Sequence, residues 1–148
     1  MLNIVFHPSG ERLSRTRLMA WCADIVAAGI AGLDNLPDSA VCLALTPPSL
    51  PWSFERHTQA DDRMTLGGEM FSRLRFTARR GEWRFADIHE PEVEQWRTWY
   101  DATLGGRLPF VVGFREALYR VTAPGGFPLS MVRPGRWGGQ ISIQEVSV

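Results

Sequence analysis

EVEQWRTWYDATLGGRLPF, residues 92–110, reads as a helix, a stop and a strand. Pro91 just ahead suits the first helical position, where a missing N–H is no loss. Glu90, Glu92 and Glu94 lie near the positive end of the helix dipole. Val93, Trp96, Trp99, Tyr100 and Thr103 fall on one helical face. Trp96, Trp99 and Tyr100 are therefore expected to form the structural core of this helix, an aromatic plug of about three turns laid over a sheet too small to bury itself. Gly105 is expected to end the helix as a left-handed cap, and Gly105-Gly106 lets the chain turn at once into a strand.

Downstream, LPFVVGF (108–114) and ALYRVT (117–122) predict a hairpin around Arg115-Glu116, and FPLSMV (127–132) follows an Ala-Pro-Gly-Gly turn. Arg133-Pro-Gly-Arg136 then leads into WGGQISIQEV (137–146), where Ile141 and Ile143 alternate with Ser142 and Gln144. Upstream, MFSRLRFTA (70–78) has the period of two of a half-buried strand. Arg80-Gly81 reads as a turn, and EWRFA returns with Trp83 and Phe85 on one face, so 70–86 is expected to be a β-hairpin.

In the first half, LNIVF (2–6) and VCLAL (41–45) read as short strands. Ser14 is expected to cap a helix to about Ala31, with Leu18, Trp21, Cys22 and Ile25 as its apolar stripe. TPPSLPW (46–52) is an extended connection, because its prolines remove ladder donors. SFERHTQADDRMTLGG (53–68) is polar and turn-rich, and is expected to be a loop ordered by a neighbour. At least six strands and two helices make the class α+β, mainly β, and 148 residues suit one domain with one core. Residues 1–44 form an N-terminal strand and helix segment and 45–148 the β core.

No window approaches the roughly 18 apolar residues of a membrane span. The start MLNIVFHPSGER lacks the basic-then-apolar order of a signal peptide, which predicts a soluble, unexported protein. Cys22 and Cys42 lie in apolar surroundings and are expected to be buried free thiols. All sixteen basic residues are arginine, but sixteen acidic residues cancel them, which argues against a nucleic-acid binder.

The residues of catalysis do not converge in the sequence. His7, His57 and His89 show no metal-ligand spacing, and Asp61-Asp62 lies in a polar stretch, where a solvated turn is the simpler reading. The glycine pairs form no phosphate-cradling motif and neither cysteine has a catalytic context. No enzyme activity, cofactor or metal is expected. The main polar feature is the arginine set Arg73, Arg75, Arg79, Arg80 and Arg84. It is either a solvated sheet face or an interface for acidic side chains, with Arg73, Arg75, Arg79 and Arg84 as candidate interface residues.

From Leu45 onward, the order LTPPSLPW, RMTLGG (63–68), MFSRLRFTA, the helix EVEQWRTWYDATLGG, LPFVVGF, APGGFPLS and RWGGQISIQEV resembles the minor tail and distal tail proteins of bacteriophage tail tips. Trp96, Trp99, Tyr100, Gly105, Gly106, Pro109 and Phe110 carry that resemblance most closely. Residues 1–44 depart from it. The resemblance implies a tail-tube-like β-sandwich or barrel with a helix packed on the sheet, repeated as a ring. It also implies a virion tail component assembled in the bacterial host cytoplasm, with the tube, hub and tape measure proteins as partners, and neither membrane nor sequence-specific nucleic acid among them. The competing readings are a small ligand-binding β-barrel or sandwich that uses Trp83, Trp96, Trp99 and Trp137 around a pocket, and a hydrolase built on His57, Asp61 and Asp62.

Overall fold

The computed structural model describes residues 2–68 and 70–146, with the side chains of 57–63 and 70–77 outside the described set. In chain order the elements are β1 (Leu2–Phe6), α1 (Arg15–Ala28), β2 (Val41–Leu45), β3 (Glu55–Met64), β4 (Met70–His89), α2 (Glu90–Ala102), β5 (Phe110–Phe114), β6 (Ala117–Thr122), β7 (Leu129–Arg133) and β8 (Arg136–Glu145). The eight strands make one sheet in the order β2-β1-β5-β6-β8-β4-β3, with β7 paired to β8 beside β6. Every pairing is antiparallel. The architecture is α+β and mainly β.

Strand alternation divides the apolar side chains between two layers. Leu2, Ile4 and Phe6 of β1, Phe110, Val112 and Phe114 of β5 and Val121 of β6 enter the larger core. Val5, Val111 and Leu118 point the other way, onto Leu18, Cys22 and Ile25 of α1. This double coverage explains why all five residues of β5 are buried and why FVVGF carries no polar alternation. Ser14 caps α1 as expected, its Oγ accepting from Arg17 N at 3.2 Å. Arg120 of β6 ties the layer down by donating to Met19 O at 3.1 Å.

α2 closes the larger core. Val93, Trp96 and Trp99 are buried there among Phe85, Phe110 and Phe127, with Trp96 edge-on to Phe127 at 4.7 Å and Trp99 edge-on to Phe110 at 5.1 Å. Truncating either tryptophan would cost about 3–5 kcal/mol. Pro91 sits one residue inside the helix start, which falls at Glu90.

The helix end differs from the expected one. Its left-handed residue is Leu104 (φ 51°), and Gly105 N reaches back to Tyr100 O at 2.8 Å, the long bond of a Schellman cap. Gly105 and Gly106 extend the positive-φ run (73° and 84°). Thr103 is buried at this corner, donating to Trp99 O at 2.7 Å and accepting from Gly106 N at 3.1 Å.

Four other expectations are corrected. Arg80-Gly81 is not a turn, because β4 runs straight through it from Met70 to His89. Gly81 is glycine because the 51–54 connection crosses the strand there: an added Cβ would lie 2.2 Å from Ser53 O. The 53–68 loop is in fact β3 and a tight turn, its backbone satisfied by β4. The sequence of 55–64 has no apolar period of two, so only its register with β4 defines it as a strand. Cys42 is exposed, since alternation on edge strand β2 turns it out while Cys22 is buried under α1. Tyr100 is 46% exposed. Its ring lies against Gly105 and Gly126 instead of in the core.

Candidate assembly interface

Register makes the β3–β4 ribbon an arm. β8 pairs with β4 only over Arg80–His89, whereas β3 pairs with β4 from Glu55↔Arg80 to Met64↔Met70. Beyond Arg80, β4 therefore has β3 as its one strand partner among the described residues. Ten residues of strand span about 30 Å. A two-stranded ribbon of that kind is marginal in water unless something else covers it. The shift between Gln59 and Ala60 adds a bulge, which sharpens the local twist.

The two ends of the arm are chemically unlike. At the root, Phe54 is fully buried against Trp83, Phe114 and Tyr119. Trp83 Nε1 donates to Ser53 O at 3.0 Å and Arg79 donates to Phe54 O at 3.1 Å. At the tip, Gly68 N closes a turn onto Thr65 O at 3.0 Å, while Met64 is 68% exposed and Leu66 wholly so.

The arginine set does not share one face. Arg79 points inward, its guanidinium 5.1 Å from the centre of the Tyr119 ring. Arg84 is exposed on the opposite parity beside Glu82, which accepts from Gln140 at 3.1 Å. Arg73 and Arg75 fall on β4 within the arm, and their side chains lie outside the described residues, as do those of His57, Asp61 and Asp62 on β3. Asp61 is in register with Arg73.

At the other end of β4 lies an aromatic cleft of about 200 Å³ between α2 and the β7–β8 hairpin, lined by Val93, Trp96, Tyr100, Phe127, Leu129 and Trp137. Arg97 closes one side, 5.9 Å from the centre of the Trp137 ring and paired with Glu94 at 2.6 Å. The indole N–H groups of Trp96, Trp99 and Trp137 have no hydrogen-bond acceptor. Trp83 is not part of this cleft but stacks on Phe114, 6.0 Å away.

The remaining titratable groups are dispersed. His7 accepts from Ser9 N at 3.0 Å and packs on Trp21, and His89 meets Arg136 at 2.6 Å. Among the described residues no three His, Cys, Asp or Glu side chains gather as metal ligands, and no helix is long and apolar enough to cross a membrane. Burial pushes the Cys22 thiol up to about 12, against the lowering influence of Arg120. Its Sγ donates to Pro109 O at 3.6 Å.

Sequence reasoning missed the arm. The signal for it was the Gly67-Gly68 pair in RMTLGG between two runs long enough to be strands, a hairpin cue that outweighs the polarity of 55–64.

No protein-family model matches the chain, and no curated protein matches it. Among solved structures, a chain from "Virion of native gene transfer agent (GTA) particle" is similar over 72% of this chain and 85% of that chain, at 9% sequence identity and a TM-score of 0.46. A likeness of that size carries no argument about function.

Proposed function

We propose that the chain is a non-enzymatic structural component of a bacteriophage-type virion tail, assembling as a ring at the tail tip and joining the tube to the hub or baseplate. The observation that carries this reading is the β3–β4 arm: a ribbon of about 30 Å with a buried aromatic root and an apolar tip. Such a ribbon gains its stability from a neighbouring surface. The order of sequence features from Leu45 onward, which resembles tail-tip proteins, supports the same reading. Its partners are then further copies of itself and the tube, hub and tape measure proteins, and its location is the virion tail, after assembly in the host cytoplasm.

A groove of about 830 Å³ lies beside the 49–53 connection, but the tryptophan-lined cleft favours this reading over a ligand pocket among the tryptophans. At about 200 Å³ it falls below the roughly 300–1,000 Å³ of drug-sized ligand sites. It matches one or two protruding side chains better.

Sedimentation velocity and negative-stain electron microscopy over a concentration series test the proposal. Closed rings burying more than about 2,000 Å² per subunit are expected. A protein that stays monomeric at every concentration would refute ring assembly.

A further inference from the structure

An exposed apolar knob and an apolar hole sit at opposite ends of one strand. Met64 and Leu66 project at the arm tip, where Met64 is in register with Met70. The aromatic cleft is at the far end of β4, where Ile88 is in register with Trp137. The stretch from Met70 to Ile88 covers roughly 50–60 Å of strand, so a tip cannot reach the cleft of its own chain while β4 is intact. It can reach that of another.

The chemistry of the two ends also matches. An apolar cavity of about 150 Å³ accepts a benzene-sized group, so a cleft of about 200 Å³ accommodates Leu66 with part of Met64. Over its whole length, residues 55–80, the arm sequence carries Arg56, Arg63, Arg73, Arg75, Arg79 and Arg80 against Glu55, Asp61, Asp62 and Glu69. α2, which walls the cleft, carries Glu90, Glu92, Glu94 and Asp101 against Arg97. A basic arm meeting an acidic helix steers the approach and disfavours arm-to-arm pairing.

We infer that the tip of the β3–β4 arm, through Leu66 and Met64, seats in the cleft between α2 and the β7–β8 hairpin of a second copy of this chain. The contact is head-to-tail. Repetition of one such heterologous contact closes a ring when its rotation permits and otherwise extends a filament. The inference rests on the self-assembly proposed above and names the surfaces that perform it.

The test is targeted cross-linking in a Cys42→Ser background, where the one remaining native thiol, Cys22, is buried. Leu66→Cys protein is mixed with Leu129→Cys protein and oxidised with diamide, and a Leu66→Cys plus Arg15→Cys mixture on α1 serves as control. A 66–129 cross-linked dimer at several times the control yield is expected. In parallel, Leu66→Asp should weaken self-association by about tenfold or more and leave the monomer's melting unchanged, because the residue touches nothing in its own chain that folding needs. Control-level cross-linking, or undiminished assembly of Leu66→Asp, overturns this contact. If wild-type rings still form in that case, the ring proposal stands and only the assigned surfaces fall. If the wild type never associates, both fall together.

Discussion

Replacing Gly81 by alanine asks whether the arm's root is pinned as the structure shows. The new Cβ would stand 2.2 Å from Ser53 O and 3.1 Å from Trp83 Nε1. The carbonyl belongs to backbone and cannot rotate away, so the 51–54 connection must move by about 1 Å to restore ordinary contact. Overpacking of this kind costs about 1–3 kcal/mol. The displacement also strains the Trp83 Nε1 bond to Ser53 O, and a buried donor left unpaired costs about 1–3 kcal/mol more. The combined effect is about 4 kcal/mol, a large share of the 5–15 kcal/mol that stabilises a typical domain. Urea unfolding followed by tryptophan fluorescence, with calorimetry alongside, measures it. The melting temperature should fall by about 10 °C, at roughly 2–4 °C per kcal/mol for a chain of this size. Gly125→Ala is the control, because nothing lies within 4 Å of its added Cβ, and it should change stability by less than about 0.5 kcal/mol. A Gly81→Ala protein within about 1 kcal/mol of that control would refute the crossing of the connection over β4.

Gly106→Ala should destabilise by about 3 kcal/mol in the same assay, since its φ of 84° is left-handed and its Cβ would meet Ala123 O at 2.8 Å. Arg79→Ala should cost about 2 kcal/mol through the lost bond to Phe54 O and the Tyr119 contact. Arg84→Ala, exposed on the other face, should stay within about 0.5 kcal/mol of wild type. Cys22 makes stability fall at alkaline pH. Its thiol keeps its proton when folded up to about 12 and loses it near 9.0 when unfolded, so the unfolded state binds fewer protons and stability drops as pH rises between those values. Cys22→Ala should flatten that slope, and native Cys42 should react with iodoacetamide at pH 8 while Cys22 does not.

The legible parts of the fold were those where a local pattern and the core made the same demand. Ile141 and Ile143 alternate because one face of β8 is buried. Trp96 and Trp99 keep helical spacing because α2 has one core face. Arg115 at φ 57° turns the β5–β6 hairpin where the sequence break indicated. The illegible parts were those where tertiary context decides. Gly81 looks identical as a turn or as a crossing point, and only the approach of Ser53 O separates the two. β3 hides because its own sequence carries no apolar period, and only its register with β4 makes it a strand. Tyr100 has the angular position of a core residue, yet the helix ends there and the ring comes to rest over glycines.

The candidate site was less readable for the same reason. The arginines at 73, 75, 79 and 84 suggested one face, but the outcome depended on strand parity and on how β3 pairs. Arg79 went into the root and Arg84 to the opposite side. The tip residues Met64 and Leu66 had no periodic context to mark them, and the cleft that matches them is assembled from α2, β7 and β8, far apart in sequence.

The arm's dependence on a neighbour is read most directly by hydrogen exchange at the amides of residues 56–79, followed as protein concentration rises from monomer to assembly. Fast exchange in dilute protein, slowing by about tenfold or more on assembly while the β5 amides stay protected throughout, is the expected result. Arm amides as protected as those of β5 in the dilute monomer, or indifferent to concentration, would contradict it.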